Sequence, residues 1–193
     1  MLRVENLNQA FGKHKVLSRI SFSLNAGEGM MIQGANGAGK TTLLKVLAGL
    51  VKAKSGELTI PASPSLFLPS SFFFHDLTLR ENLKFYARLY QTETSRLDHL
   101  ISVFRLSSFL NREFGVLSLG QKIRGGLART FLTKTSLYLL DEPLTGLDDE
   151  SSASLVDFLG ALKKEKGSFL VASHDTQRFD GIIDHRLILE KKS

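Results

Sequence analysis

Apolar and polar residues alternate along the first part of the chain, and this period of two is typical of β-strands with one buried face. The alternation is plain at 20–24, Ile-Ser-Phe-Ser-Leu, and a second candidate strand spans 2–11, with a turn at 12–15 between them. Three later runs are apolar throughout, which is the pattern of parallel strands buried on both faces. These runs lie at 30–32, 137–140 and 169–172.

Between the strands, apolar residues recur at helical spacing. The predicted helices span 43–50, 78–90, 95–106, 118–133 and 149–166, and further short strands are expected at 56–60, 65–68 and 186–190. Two of these helices begin with a capping box, Thr78 with Glu81 and Ser118 with Gln121, in which each residue satisfies a free backbone N–H of the other. Strands that alternate with helices predict an α/β fold, with a mostly parallel sheet covered by helices on both faces.

The composition is that of an ordinary globular chain of 193 residues, 42% hydrophobic and 23% charged. We expect a single domain over 1–193, with an all-helical insertion at about 71–116. No apolar run exceeds four residues, so no segment is expected to span a bilayer. The chain has no cysteine, which excludes a disulfide scaffold, a zinc–thiolate site and a thiol nucleophile. A formal net charge of +6 favours polyanionic partners, although solubility explains it equally well.

A glycine-rich segment lies between a predicted buried strand and a predicted helix, and it matches the phosphate-loop pattern G-x-x-x-x-G-K-[ST]. Its glycines let backbone N–H groups surround phosphates, and the helix start adds partial positive charge. The Lys40 side chain would reach the β- and γ-phosphates of a nucleotide, and the Thr41 hydroxyl would bind Mg²⁺. The candidate nucleotide contacts of this segment are Gly34, Ala35, Asn36, Gly37, Ala38, Gly39, Lys40, Thr41 and Thr42.

Two acidic residues follow the apolar run at 137–140. Asp141 would lie at the carboxyl end of that strand beside the phosphate loop, where a carboxylate can hold the metal or its waters. Glu142 comes next, and a carboxylate there can orient or deprotonate an attacking water. We therefore expect Thr41 and Asp141 to be metal ligands and Glu142 to be catalytic.

With four further motifs, the phosphate loop resembles the ATP-binding cassette (ABC) family, the ATPase subunits of ABC transporters. Residues 117–121, Leu-Ser-Leu-Gly-Gln, resemble the family's signature LSGGQ, and 144–148, Leu-Thr-Gly-Leu-Asp, resemble its dimer-contacting loop. Residues 173–175, Ser-His-Asp, resemble the switch-histidine loop, and Phe11 falls where the family places an aromatic ring on adenine. The resemblance therefore extends over nearly the whole chain.

This resemblance implies a fold class and an assembly. The fold is an α/β P-loop NTPase, an ABC-type nucleotide-binding domain with a mostly parallel sheet, a trimmed antiparallel β subdomain and an inserted helical subdomain. The assembly is a head-to-tail pair of ATPase subunits, expected to be a homodimer when ATP is bound. Each ATP would lie between Lys40 and its loop in one copy and Ser118, Gly120 and Gln121 in the other.

The resemblance also implies roles for three residues outside the phosphate loop and the signature. His174 would contact the γ-phosphate and help to hold Glu142 and its water in place. Phe11 would stack on the adenine ring. Asp148 would either contact the partner copy or cap the helix that follows it.

The chain departs from the family pattern at three places, one of which is the unusually short β region between Ile60 and Ser65. Ser70 and Ser71 stand where the family has a glutamine that touches Mg²⁺, and either serine could replace it through a water. Leu119 replaces a glycine of the signature. Residues 71–75, Ser-Phe-Phe-Phe-His, fall where the family docks a helix of the membrane subunit, so we expect at least one phenylalanine in that docking groove, with Phe73 as the residue to test.

The phrases at 24–28, 43–50 and 77–86 look like those of the ATPase of the cytochrome c maturation haem exporter. The leading hypothesis is thus an ATPase that powers transport, of haem or another component of cytochrome c biogenesis, through separate transmembrane subunits. It would be cytoplasmic and peripheral on the inner face of the cell membrane, with ATP and Mg²⁺ as ligands and no nucleic acid.

Two other functions stay open at this point. The +6 charge allows a soluble ABC ATPase that acts on nucleic acid or ribosomes, although the chain has a single cassette, no long basic arm and no coiled-coil insertion. A clamp that binds nucleotide without hydrolysing it is disfavoured, because both Glu142 and His174 are present.

Overall fold

The computed structural model describes residues 1–60, 63–69 and 73–190, and within these ranges the chain alternates strands with helices. The strands are β1 (Leu2–Phe11), β2 (His14–Leu24), β3 (Gly29–Gln33), β4 (Ser55–Thr59), β5 (Ser65–Phe67), β6 (Leu137–Asp141), β7 (Ser168–Ala172) and β8 (His185–Ile188). The helices are α1 (Lys40–Leu47), α2 (Leu79–Leu89), α3 (Thr94–Val103), α4 (Leu119–Leu132) and α5 (Asp149–Lys164). Single 3₁₀ turns lie at Phe114–Val116 and Gln177–Phe179.

These elements agree with the predicted ones to within a few residues, apart from β2. The strand begins at His14 rather than near Ile20, so that Gly12 and Lys13 alone form the turn after β1. Both predicted capping boxes are present, at Thr78 before α2 and at Ser118 before α4. Across the described ranges, no helix is both long enough and apolar enough to cross a membrane.

Two sheets make up the β-structure. An antiparallel sheet has the order β2-β1-β4, with Leu2 opposite Leu24 and Phe11 opposite His14 in the β1–β2 hairpin. A five-stranded sheet has the order β5-β6-β7-β3-β8, and every neighbouring pair in it is parallel. The order places β7 between β3 and β6, so three loops from distant parts of the chain leave the same edge of the sheet.

Successive residues of the central strands enter two different cores. In β6, Tyr138 and Leu140 pack into the core beneath α2 to α5, while Leu137 and Leu139 pack into the core shared by α1 and the antiparallel sheet. All four side chains are essentially inaccessible to solvent. Because each buried apolar side chain of this size contributes about 1.5–3 kcal/mol, both faces of the strand favour apolar residues at 137–140. This explains why these four residues are all apolar rather than alternating, before the strand ends at the buried Asp141.

An aromatic cluster holds the helices against the sheet. Phe131 of α4 has its ring centroid 4.9 Å from that of Tyr138 in β6, 4.6 Å from Phe158 in α5 and 5.8 Å from Phe104 at the end of α3. Such ring contacts add about 0.5–1.5 kcal/mol each to the burial itself. They fix α4 in place, and α4 begins at the predicted signature.

The phenylalanine segment before α2 differs from expectation. Phe73 is buried, stacked on Phe114 with a centroid distance of 4.2 Å, so it belongs to the core and not to an exposed groove. Phe74 is 49% exposed and lies edge-on to Phe85 of α2. Phe73 was therefore the wrong residue with which to test membrane docking, because its substitution would disturb the core. Ser70 and Ser71 lie outside the described residues.

Candidate functional site

The carboxyl ends of β3, β6 and β7 open into a cleft of about 580 Å³. This edge of a parallel sheet is where ligands of α/β proteins commonly bind. The residues that line the cleft come from both sheets, the loop after β3 and the loops after β6 and β7. They are Phe11, Val16, Asn36, Gly37, Gly39, Lys40, Thr41, Thr42, Asp141, Glu142, Thr145 and His174.

The loop at 34–39 needs glycine at both of its ends. Gly34 and Gly39 have φ angles of 151° and 99°, which side chains rarely adopt. A Cβ at Gly34 would lie 2.5 Å from the carbonyl oxygen of Leu189, and one at Gly39 would lie 2.8 Å from the Leu17 side chain. The loop is thus held tightly between β8 and β2. Gly39 immediately precedes α1, so the free N–H groups of the helix start face the cleft end of the loop.

Lys40 is 9% exposed, and its ammonium group folds back over the loop. Nζ donates to the carbonyl oxygen of Gly34 at 2.8 Å and lies 3.5 Å from that of Ala35. Both acceptors are neutral carbonyls, so a phosphate oxygen would form a stronger, charge-assisted bond with the same ammonium. The geometry therefore suits an anion seated within the loop.

Thr41 and Asp141 meet at the base of the cleft. The Thr41 hydroxyl donates to Oδ2 of Asp141 at 2.7 Å. Burial raises the pKa of the Asp141 carboxyl, and the Thr41 hydrogen bond and the charges of Lys40 and Lys45 oppose that rise. A bound magnesium ion would balance the negative charge of this carboxylate, which burial leaves poorly solvated.

A hydroxyl and a carboxylate are the hard oxygen ligands that Mg²⁺ prefers, so these residues fit that ion. The described residues contain no group of three or more acidic or histidine side chains that could hold a metal by themselves. Mg²⁺ usually keeps several waters and binds substrate phosphates together with one or two protein oxygens.

Glu142 has a left-handed backbone with φ of 46°, an uncommon conformation outside glycine. Its N–H donates to the carbonyl oxygen of Ala172 at 2.7 Å, which continues the β6–β7 pairing by one residue. Its Oε1 is buried and accepts no hydrogen bond within the described structure. Strained residues and unpaired buried oxygens concentrate at functional sites. Its hydrogen-bonding capacity is therefore unsatisfied in the described structure.

His174 lies between Glu142 and the phosphate loop. Its backbone N–H donates to Oε2 of Glu142 at 3.3 Å, and its ring Nε2 is 3.4 Å from Oε1 of Glu142. The same Nε2 is 2.9 Å from Oδ1 of Asn36 in the loop. One imidazole, carried by the loop after β7, thus contacts groups from the loops after β3 and β6.

Phe11 forms the opposite wall of the cleft. Its side chain is 53% exposed at the tip of the β1–β2 hairpin, where an aromatic face is free to stack. Val16 lines the cleft beside it. The structure therefore brings Phe11 together with the phosphate loop, Asp141, Glu142 and His174.

The three signature residues lie elsewhere and do not line this cleft. Ser118 and Gln121 bond each other's backbone N–H groups in the capping box of α4, at 3.3 and 3.0 Å. Gly120 packs against the loop after Glu142, where a Cβ would lie 2.5 Å from the carbonyl oxygen of Gly146. The resemblance assigns these residues to the ATP of a second copy, and their separation from the cleft of their own chain is compatible with that assignment.

The sequence did not predict two residues of the cleft, Val16 and Thr145. Val16 was placed next to a turn that the structure makes shorter, and Thr145 was treated only as part of a dimer-contacting loop. For Val16, the available signal was its place in the alternating pattern of β2. For Thr145, it was its position shortly after Glu142. Asp148 caps α5, accepting from the Ser151 N–H at 2.7 Å, and this hydrogen bond lowers the pKa of its carboxyl.

This fold and this cleft define a P-loop nucleotide-binding protein of the α/β class. The profile of the family described as ABC transporter matches residues 17–145, which is more than half of the chain. The chain therefore belongs to the ABC transporter family and is an ATP-binding, ATP-hydrolysing subunit of that family, as the sequence predicted. The predicted fold class is also confirmed.

Individual relatives agree with this assignment. The cytochrome c biogenesis ATP-binding export protein CcmA of Cereibacter sphaeroides is 39% identical over 174 residues, which cover 90% of this chain and 82% of that protein. A solved ATP-binding subunit of an ABC transporter matches 98% of this chain and 85% of its own, with a TM-score of 0.89 and 25% identity. MJ0796, a bacterial ABC transporter cassette with a dimeric structure, has a TM-score of 0.89 and 21% identity over 99% of this chain and 95% of its own, which bears on the fold alone.

Proposed function

We propose that this chain powers export for cytochrome c biogenesis through separate transmembrane subunits, with haem or another component of that process as the cargo. The 39% identity to a CcmA protein supports the biological process. The observation that carries the chemistry is the carboxylate of Glu142, whose Oε1 has no hydrogen bond and lies 3.4 Å from His174 in a cleft with a phosphate loop.

The nucleotide would lie along the cleft from Phe11 to Glu142. Phe11 and Val16 would hold the adenine by stacking and apolar contact. The backbone N–H groups of 34–42 and the ammonium of Lys40 would bind the β- and γ-phosphates, since the helix start and the lysine both present positive charge there. The interactions of Lys40 with neutral carbonyls would be exchanged for stronger ones with phosphate oxygens.

Thr41 and Asp141 would hold Mg²⁺, which when bound neutralises charge on the β- and γ-phosphates. Glu142 would accept a proton from the water that attacks the γ-phosphorus, because its carboxylate lines the cleft and its Oε1 accepts no hydrogen bond in the described structure. His174 would steady that carboxylate and contact the γ-phosphate through its ring Nε2. The position of each side chain in the cleft supports the role proposed for it.

We further propose that two copies pair head to tail, so that Ser118, Gly120 and Gln121 of one copy close the cleft of the other. The start of α4 is exposed, with Leu119 at 57%, and its free N–H groups favour an anion. MJ0796, a cassette with the same fold, has a dimeric structure. Residues 1–193 would act as one ATPase domain in each copy.

The membrane subunit would dock on an apolar surface beside α2, which we define by Phe74, Leu77, Phe85 and Leu89. These side chains are 49%, 36%, 44% and 60% exposed, an unusual density of exposed apolar groups. This surface follows the phenylalanine segment that the sequence suggested for docking. The protein would then be peripheral on the cytoplasmic face of the membrane, as the family resemblance implies. The relatives named above are ABC transporter proteins, so action on nucleic acid or ribosomes is not proposed.

The decisive experiment traps Glu142→Gln with ATP in the native cells, extracts the membranes gently and identifies the proteins that co-purify. Lys40→Ala is the matched control, since it should weaken nucleotide binding. Recovery of a multi-spanning membrane protein in an ATP-dependent manner is the expected result, and a haem-handling partner would support cytochrome c biogenesis. Recovery from the soluble fraction with ribosomes, RNA or DNA would overturn the transport role while leaving the ATPase intact.

A further inference from the structure

Arg178 joins the two loops that carry the candidate catalytic groups. Its Nε donates to Oδ2 of Asp175 at 2.9 Å, and its Nη2 donates to Oδ1 of Asp149. Asp175 directly follows His174, whereas Asp149 is the first residue of α5 and closes the loop that begins at Glu142. One guanidinium therefore links the loop that carries His174 to the end of the loop that begins at Glu142.

The backbone that carries Arg178 is well anchored. Phe179, the next residue, is fully buried beneath α5, in the 3₁₀ turn Gln177–Phe179. From this turn the planar guanidinium presents donors in two directions, which suits it to bridge two carboxylates. Its hydrogen bonds to Asp149 and Asp175 raise the pKa of Arg178 further, so the positive charge of the bridge is permanent.

The position of His174 depends on polar contacts rather than on packing. Its side chain is 58% exposed, so burial alone does not fix the ring. The loop is held instead by the Asp175 N–H, which donates to Oγ of the buried Ser173 at 3.2 Å, and by the His174 N–H on Glu142. Arg178 connects this loop to α5 through its hydrogen bond to Asp149.

We infer that Arg178 is a positioning residue for ATP hydrolysis, which holds the His174 loop against the start of α5 and so keeps the imidazole beside Glu142. Arg178 does not line the cleft and would not touch the nucleotide. This inference rests on the proposed roles of His174 and Glu142. We therefore expect this exposed ion-pair network to affect ATP turnover and not nucleotide binding.

The test is a double-mutant cycle between Arg178→Ala and His174→Ala, measured as steady-state ATP turnover of the full chain. Arg178→Ala should lower kcat about three- to tenfold, the scale of one or two partly exposed ion pairs, and leave KM for ATP unchanged. In the His174→Ala background the same substitution should have little further effect, because residues that act as a unit are not additive. Arg178→Lys, which keeps one of the two arms, should recover part of kcat.

Arg3→Ala is the matched control, because Arg3 forms an exposed ion pair with Glu5 far from the cleft, at 2.7 Å. It should leave kcat at the wild-type value. Urea unfolding midpoints of all variants should agree, which separates positioning from loss of folding.

Two results would overturn the inference alone, namely a wild-type kcat for Arg178→Ala, or an equal loss of kcat with and without His174. Full activity of His174→Ala would instead contradict the proposed function of that histidine, and the role of Arg178 would fail with it.

Discussion

The backbone of Gly120 lies directly against Gly146, because a Cβ built on Gly120 would be 2.5 Å from the Gly146 carbonyl oxygen. The start of α4 and the loop after Glu142 are therefore in backbone contact within one chain. Gly146 itself has a φ of 77°, and a Cβ there would meet the Leu119 side chain at 3.0 Å. The two segments can approach so closely only because neither carries a side chain at the contact.

We expect Gly120→Ala to lower the free energy of unfolding by about 1–3 kcal/mol, since an added methyl group must push the two segments apart. Gly160→Ala is the matched control: its Cβ would have an ordinary contact of 3.5 Å with Ile182. Because position 160 lies inside α5, replacing its glycine with alanine should raise the free energy of unfolding by about 0.5–1 kcal/mol. Urea denaturation of both variants measures the difference, and equal stabilities would contradict the close contact.

Lys40→Ala should weaken ATP binding about 10- to 100-fold, because a hydrogen bond to a charged group contributes about 1.5–3 kcal/mol. The folded state should change little, since the Lys40 ammonium bonds only to loop carbonyls in the described structure. Equilibrium titration with MgATP makes the measurement. Lys52→Ala, an exposed lysine beyond α1, should bind ATP as the wild type does. An unchanged affinity of Lys40→Ala for ATP would contradict the assignment of this segment as a phosphate loop.

Asp141→Asn should stabilise the nucleotide-free protein at pH 7 while abolishing Mg²⁺-dependent turnover. Burial raises the pKa of Asp141 in the folded state, so the folded chain binds this proton more tightly than the unfolded chain does. The group therefore favours folding at low pH, and this contribution is lost as pH rises from about 3.9 through the raised pKa. At pH 7 the buried charge opposes folding, and asparagine carries none.

Urea denaturation in a chelating buffer, at pH 7 and near pH 4, checks the sign. The stability difference between Asp141→Asn and wild type should be positive at pH 7 and shrink toward pH 4. A variant that is less stable than wild type at both values would show that the charged carboxylate is well compensated by Thr41 and Lys40.

Phe74→Asp should reduce membrane association without loss of folding, because Phe74 is 49% exposed. Phe73→Ala should instead cost about 3–5 kcal/mol of stability, the usual loss for a buried phenylalanine. Cell fractionation with ATPase and unfolding assays distinguishes the two positions. Normal membrane recovery of Phe74→Asp would mean that the apolar surface beside α2 is not where the membrane subunit docks.

Motifs that are contiguous in the sequence could be predicted. Contacts between residues far apart in the chain were harder to predict. The phosphate loop is contiguous, and Asp141 and Glu142 follow directly on a recognisable strand. The opposite fates of Phe73 and Phe74 could not be predicted, because successive phenylalanines between Ser71 and His75 show no period that marks the buried side. Phe114, which stacks on Phe73, lies 41 residues further along the chain.

By itself, the sequence determined the chemistry of this protein: a loop whose glycines permit the backbone to surround phosphates, and acids at the end of a buried strand. Those properties depend on φ angles, free N–H groups and short-range order, which neighbouring residues control. Only the tertiary structure decided that His174 would stand between Glu142 and Asn36 and that Arg178 would tie their loops together. These contacts depend on the order β6-β7-β3 across the sheet, which is set by the packing of both cores rather than by any local pattern.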